Sequence, residues 1–358
     1  MNIHSTYSTK KVANSFEERV IIDLAGVASG MLMDNLIISP EGLKKFKNPA
    51  SGLPVLIPSI PKMFNAYENF MVSKREVQEL IFGPVHSSYV GCQLSFDTNT
   101  FIRNFDLKKS FEAKLHGYIE DILLTREIVK KLVKEFTSVG AFQTRNIPHL
   151  GHEKIIDKML DHCNLVVANP MIGPKKIGDI NPAKLGGLYE SILKPRYKNR
   201  IEFLPIRANI FYAGPREAIH HSRIREWLGF THFAVGRDHA GAEGLYANNA
   251  AINMIKKCEG DLSIDIIAHQ GAVYCSQCKN VVLQDDCKHN KSKFREISGS
   301  DFRHSLKVRK TYPFASPDIQ KWASRNFDYL KTYLLGFQKV GILHPFFDTE
   351  YLLFHVVP

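Results

Sequence analysis

From about residue 137, short apolar runs and helical patterns alternate, and no other feature restricts the possible folds so strongly. Val139–Phe142, Leu165–Ala168 (LVVA), Ile201–Pro205 (IEFLP) and Thr231–Val235 (THFAV) read as strands. Lys154–Leu165, Pro182–Leu193 and Arg216–Leu228 carry the spacing of helices that bury one face. Alternation of this kind predicts a doubly wound α/β domain, a parallel sheet with helices on both faces. In such a sheet ligands sit at the carboxyl ends of strands, beside the point where strand order reverses. The loops after Phe142 and Val235 are therefore the places to look for chemistry.

Upstream the pattern differs. Val20–Leu24, Val55–Ile60 and Ser88–Leu94 are strand-like, with Gly/Pro/Asn-rich connections such as Asn48–Pro54 between them, and predict a small β-rich domain. A helix with Ile119, Ile122, Leu123, Ile128, Leu132 and Phe136 on one face is expected over Phe111–Phe136. The 358 residues, 44% hydrophobic and 23% charged, suit a globular protein with a sizeable core. A net charge of +11 invites nucleic acid as a partner, but the basic residues fall in scattered clusters such as Lys44–Lys47, Lys194–Arg200 and Lys307–Lys310. General attraction for anionic substrates accounts for the same charge, so no nucleic-acid partner is expected. No apolar run approaches the ~20 residues of a membrane span, and the start, MNIHSTYSTKK, has no apolar signal-peptide core. The expectation is a cytoplasmic enzyme without a membrane partner, with surface enough for a homodimer.

The densest polar segment follows the first strand. Gln143, Arg145, Asn146, His149 and His152 fall within ten residues, just where a helix begins and its free N–H groups favour an anion. His149 and His152 form an HxGH pair, placed on one helix face by their i,i+3 spacing, with Gly151 between them. Two ordinary core or surface histidines would spell the same letters; the amides and the arginine upstream favour the functional reading. Gly236–Gly241 (GRDHAG) follows THFAV and supplies Arg237, Asp238 and His239. A strand-end arginine can bridge phosphate oxygens bidentately; in isolation a turn held by an Asp side chain is the better reading, and only convergence with the first segment raises the functional one. Tyr212–Ala218 (YAGPREA) has the glycine and proline of a helix start. In the Gly/Pro loop 169–180, Lys175 and Lys176 could close over phosphates. No Walker loop or serine or cysteine nucleophile signature is present.

Of six cysteines, Cys275, Cys278 and Cys287 cluster, with His289 two residues on. Soft donors at this spacing suit a tetrahedral structural zinc. A redox CxxC or unpaired loop thiols would also fit the letters, and His304 could replace His289 as fourth ligand.

Together these segments resemble ATP sulfurylase (sulfate adenylyltransferase) of the single-chain type. The matching stretches are QTRN-x-x-H-x-x-H-E at Gln143–Glu153, GPKKIGD at Gly173–Asp179, AGPREA at Ala213–Ala218, GRDHAG, and ISGSDFR at Ile297–Arg303, all in family order. The resemblance implies that ATP and sulfate yield adenosine 5′-phosphosulfate and pyrophosphate, as in sulfate assimilation. It places Gln143, Arg145 and Ala240 at sulfate. Gln143, Asn146, His149, His152, Gly236, Arg237, Asp238, His239 and Ile297 would hold ATP, and Arg145, Asn146, His149, His152 and Arg237 would act in catalysis. It further implies Mg²⁺ with ATP and a structural zinc on Cys275, Cys278, Cys287 and His289. The implied domains are a β-rich PUA-like one over 1–118, an HxGH nucleotidyltransferase one over 119–295 that includes the zinc knuckle 275–289, and a short C-terminal α/β subdomain over 296–358. The chain departs from the family pattern at Ile147, Phe211, Ser300 and Asp301. Those departures motivate an alternative, a related enzyme acting on another oxyanion such as a phosphonate, or a non-catalytic nucleotide-binding homologue.

Overall fold

The structure is a computed structural model. It describes residues 109–330 except 145, 174–179, 211–214, 238, 240–246 and 259, together with 18, 21–22, 25–26 and 28–32. Val55–Ile60 and Ser88–Leu94, and with them almost all of the expected PUA-like domain, lie outside the described residues. Where Val20–Leu24 was expected to be a strand, Ile21 and Ile22 are helical, as are Glu18 and Ala25. Ile21 and Ala25 are fully buried against the α/β core, so helical spacing, not alternation, orients their side chains.

The long helix α1 (Lys109–Phe136) leads into β1 (Val139–Phe142). Then follow α2 (Leu150–Leu160), β2 (Leu165–Ala168), a helical segment over 182–196 and β3 (Ile201–Phe203). The segment 182–196 mixes 3₁₀, α and π turns where a single helix was expected. Next come α3 (Pro215–Leu228), β4 (His232–Gly236), α4 (Ala250–Lys257) and β5 (Asp265–His269). The five strands are all parallel, in the order β3-β2-β1-β4-β5. The chain moves outward from β1 through β2 to β3, then returns to lay β4 against the other side of β1. Strand order therefore reverses between β1 and β4, with Gly140 opposite His232 and Ala141 opposite Phe233.

Every residue of β1, β2 and β3 is buried, as strands covered on both faces require. One face packs Val139, Ala141, Val167, Phe233 and Val235 against α1, α3 and α4. The other packs Phe142, Val166, Ala168 and Ala234 against α2, 182–196 and the later elements. This three-layer arrangement is the doubly wound architecture expected from the alternation.

A small antiparallel sheet follows, of β6 (Ala272–Cys275), β7 (Asn280–Leu283) and β8 (Phe294–Glu296) in the order β7-β6-β8. Val281 and Leu283 bury into the second core half. After it, α5 (Gly299–Lys307) and α6 (Pro317–Leu330) send Phe302, Leu306, Ile319 and Ala323 into the same half. Of the stretch expected to form a C-terminal α/β subdomain, the described residues carry these two helices, which share the core of the sheet. Among the described residues no helix is long and apolar enough to cross a membrane.

Candidate active site

β1 and β4 are neighbours at the reversal point, and their carboxyl ends deliver the two polar segments singled out above. Gln143 leaves β1 with its Oε1 buried and without a hydrogen-bond partner. Thr144 is buried; its hydroxyl accepts from the Asn146 backbone N–H at 3.2 Å, turning the chain toward α2. Ile147, one of the departures, is 1% exposed and plugs the second core half.

His149 and His152 build the start of α2 reciprocally. His149 Nδ1 accepts from the Gly151 backbone N–H at 3.1 Å, and His152 Nδ1 accepts from the His149 backbone N–H at 3.2 Å. Imidazoles here do the work usually given to Ser and Glu in a capping box. A Cβ on residue 151 would sit 2.9 Å from His149 Cε1, so only glycine lets that ring fold back onto the backbone. Burial pushes the His149 pKa down to about 4 and that of His152 well below its ordinary value. A neutral imidazole whose Nδ1 accepts must carry its proton on Nε2. Both rings, 3.9 Å apart between centroids, are therefore uncharged donors; Nε2 of His152 lies 3.4 Å from the Thr144 hydroxyl.

A third imidazole, not foreseen from sequence, repeats this chemistry. His269 ends β5, is buried, and accepts from the Gly271 backbone N–H on Nδ1 at 3.2 Å. Its ring lies against Gly236 at the end of β4, where a Cβ would be 3.1 Å from His269 Cε1. Burial brings its pKa down to about 4. An isolated His in an otherwise unremarkable strand carries no sequence signal.

Asn146 is held from the far end of the domain. Arg303 in α5 donates from Nη1 to Asn146 Oδ1 and from Nη2 to the Ser300 hydroxyl at 3.2 Å. A Cβ on Gly299 would come within 2.6 Å of Asn146 Cγ, so ISGSDFR meets QTRN by direct packing. Two departures are absorbed at this helix start. Ser300 supplies the hydroxyl for Arg303, and Asp301 sits in the first turn, where a negative charge is favoured. Ile297 is half-buried against the second core half.

From the β4 end, Arg237 pairs with the exposed Glu296 of β8 at 2.9 Å. His239 turns inward, its Nε2 2.8 Å from Nδ1 of the fully buried His221 in α3. Arg145, Phe211, Asp238 and Ala240 lie outside the described residues, as do Lys175 and Lys176 and residues 212–214 of YAGPREA. In the rest of that segment Pro215, Glu217 and Ala218 are buried at the start of α3.

The cysteine cluster forms one site. Cys275, Cys278, Cys287 and His289 bring their ligand atoms within 4.8 Å of one another. His289 Nδ1 lies 3.2, 3.4 and 3.6 Å from the sulfurs of Cys278, Cys275 and Cys287, and Cys278 is 3.8 Å from Cys287. A tetrahedral zinc with bonds of roughly 2.0–2.3 Å has ligand–ligand edges of about 3.5–3.8 Å, so the set fits the ion. His304 is not in the cluster. Burial opposes ionisation of Cys275, yet N–H groups of Cys278 and Gln277 bring its thiol down to about 6, toward the thiolate a metal needs. The knuckle packs on α2, where Ala272 comes near Gly151 and Lys158 near Asp286 at 3.9 Å.

Comparison with known proteins points one way. A family model described as ATP-sulfurylase matches residues 121–321, more than half of the chain. The sulfate adenylyltransferase of Ignicoccus hospitalis is 38% identical over 181 residues, 50% of this chain and 47% of that one. That of Staphylothermus marinus is 35% identical over 213 residues, 59% of this chain and 54% of that one. That of Aeropyrum pernix is 37% identical over 183 residues, 51% and 47% of the two chains. The chain spans about half the length of these curated relatives. Among solved structures, a hexameric APS kinase from Thiobacillus denitrificans overlaps 56% of this chain and 39% of its own at 15% identity. Its TM-score of 0.42 is too low to argue from.

Proposed function

The chain belongs to the ATP-sulfurylase family, and on that premise we propose that it transfers the adenylyl group of ATP to sulfate and releases pyrophosphate. The observation that carries the proposal is that Gln143, Asn146, His149 and His152 follow β1 and Arg237 and His239 follow β4, at the carboxyl ends of adjacent strands on either side of the sheet's reversal point. A sulfate oxygen attacks the α-phosphorus in line; the new P–O bond forms as the bond to the bridging oxygen of pyrophosphate breaks. No covalent protein nucleophile is needed, and catalysis rests on positioning and on donors aimed at developing charge.

In this reading Gln143, with its unpaired buried Oε1, and Arg145 and the backbone of Ala240 hold sulfate. A carboxamide oxygen repels an anion, so Gln143 would turn its NH₂ to sulfate and keep Oε1 for a donor. Asn146 offers Nδ2–H to phosphate, because Arg303 occupies its Oδ1. His149 and His152 donate from Nε2 to the α-phosphate and the departing pyrophosphate. Being neutral, they stabilise the transition state without holding the product by full charge. Arg237 exchanges its exposed partner Glu296 for phosphate oxygens. Gly236, Asp238, His239 and Ile297 line the nucleoside end. Mg²⁺ would enter with ATP, held mostly by phosphates and water, and would neutralise charge on the leaving group.

Zinc on Cys275, Cys278, Cys287 and His289 would have four protein ligands and no open position, which makes it structural. It would brace the sheet that carries Glu296 and supports α2.

The test is pyrophosphate release from ATP with sulfate, molybdate and a set of phosphonates. Release with sulfate or molybdate supports the proposal; release only with an organic acceptor overturns it. The comparisons do not favour the other-oxyanion or the non-catalytic reading; of the departures that motivate it, Ile147, Ser300 and Asp301 are accommodated in place, and Phe211 lies outside the described residues.

A further inference from the structure

Helix α3 buries an unusual row. Glu217, His221 and Arg225 recur at i, i+4 and i+8, and none exceeds 1% exposure. Burying such groups is costly unless they are paired. Arg225 is largely paired: Nε donates to Asn169 Oδ1 at 3.0 Å and Nη2 to the Asn169 carbonyl at 2.7 Å, with the guanidinium over Phe233 and Nη1 left without a hydrogen-bond partner among the described residues. Glu217 and His221 instead form a chain that ends on His239. Oε1 of Glu217 lies 2.7 Å from Nε2 of His221, off the ideal hydrogen-bond line. On the other side of that ring, Nδ1 lies 2.8 Å from Nε2 of His239.

The order of protons along this chain follows from the carboxylate, which can only accept. Two lone pairs do not approach to 2.7 Å, so His221 carries its proton on Nε2. In a neutral His221, Nδ1 is then an acceptor, and His239 donates to it from Nε2. That leaves the Nδ1 lone pair of His239 without a proton and, among the described residues, without a partner. His239 is half-buried, edge-on to Phe233 and His221. Burial, together with His221 and the Arg225 charge, keeps its pKa well below the ordinary value against the opposing pull of Glu217; His269 acts in the same direction.

We propose that Glu217 and His221 are positioning residues that fix His239 as a hydrogen-bond acceptor, through which the site reads a donor on the nucleoside half of its substrate. A phosphate offers only acceptors at neutral pH and would repel that lone pair. The matching groups are the exocyclic amine of adenine or a ribose hydroxyl. The inference rests on the nucleotide reading above and adds what that reading lacked, the polarity of the contact.

Calorimetric titration with ATP, inosine triphosphate (amine replaced by oxygen) and 2′-deoxy-ATP (one hydroxyl removed) tests it. One analogue should bind roughly tenfold more weakly than ATP, the scale of one hydrogen bond, and which one it is names the donor. That ratio should collapse toward one in His239→Ala and Glu217→Ala. It should persist in Glu217→Gln, whose amide oxygen can still accept from His221. Because the readout is a ratio within each variant, a general loss of stability cancels. Wild-type protein that binds ATP and both analogues equally overturns this inference and leaves the nucleotide site standing, as does a ratio unchanged in His239→Ala. If none of the three nucleotides binds, the nucleotide reading falls, and this inference with it.

Discussion

Arg303 donates a hydrogen bond to the side-chain oxygen of Asn146, a residue 157 positions earlier in the chain. One consequence is orientational. A guanidinium on the amide oxygen fixes which way the side chain is flipped and turns its NH₂ to the opposite side. Arg303 thereby sets the polarity of Asn146 without itself belonging to the polar segment after β1. Replacing Arg303 with Met should lower turnover by about 10- to 100-fold, the value of a charge-assisted hydrogen bond that holds a donor in place. Arg303→Lys should recover part of it. Steady-state kinetics beside thermal melts checks this; a loss of turnover that merely tracks loss of folded protein would show Arg303 to be structural only.

The two HxGH imidazoles both cap α2 and offer Nε2, and these roles separate by substitution. His149→Ala or His152→Ala should reduce turnover by roughly 10²-fold or more, the scale of losing one transition-state donor. Each should also cost the helix on the order of 1 kcal/mol for its cap. His149→Asn keeps a good capping side chain, so its melting temperature should lie closer to wild type while its turnover stays low. Near-wild-type rates in both alanine variants would remove the histidines from the mechanism.

Stability should depend on pH through the buried imidazoles. The folded-state pKa values of His149 and His269 are lowered to about 4 by burial, against roughly 6.5 in an unfolded chain. Between those values the unfolded state binds protons that the folded state refuses, so stability rises with pH across the window and levels off above about pH 6.5. Thermal melts from pH 7 down to 4.5 should show a falling midpoint. The fall should be shallower in His149→Asn and His269→Gln. A midpoint independent of pH in this range would contradict the neutral assignment.

Metal analysis should find about one zinc per chain, on the strength of four closed ligands. Cys275→Ser, or removal of zinc by a strong chelator, should lower the melting temperature. It should also lower turnover, since the sheet that holds the knuckle packs on α2 and carries Glu296 opposite Arg237. Unchanged metal content in Cys275→Ser would rule out this ligand set.

Breaking the Arg237–Glu296 pair isolates its two ends. The carboxylate is 80% exposed, so Glu296→Gln should change stability by less than about 1 kcal/mol, as for other surface ion pairs. Arg237→Ala should leave stability nearly as it was and cut turnover severely. A thermal melt and a rate on each variant decide whether the arginine serves the fold or the substrate.

Local pattern was sufficient for much of this protein. The apolar runs of β1, β2 and β4 and the helical stripes of α1 and α3 are legible because side-chain period follows secondary structure directly. The alternation then leaves few topologies, and the two polar segments sit at strand ends in the linear sequence. The metal cluster is equally local, since Cys275 to His289 span fifteen residues. Where pattern misled, burial was the cause: Val20–Leu24 is apolar enough for a strand, and packing of Ile21 and Ala25 selects a helix.

Only the folded chain decided which residues share the site and in what protonation and polarity. His269, Arg303 and the buried Glu217–His221 pair come from elements remote in sequence from the two polar segments, and no local pattern ties them to those segments. That β1 and β4 lie side by side is a property of strand order, which nothing in either strand encodes. Proton placement on each imidazole is likewise a tertiary fact, set by which nitrogen meets a backbone N–H or a carboxylate and by how far burial excludes the charge. Sequence carries short-range period and residue chemistry; juxtaposition and dielectric environment exist only once the sheet has closed its core.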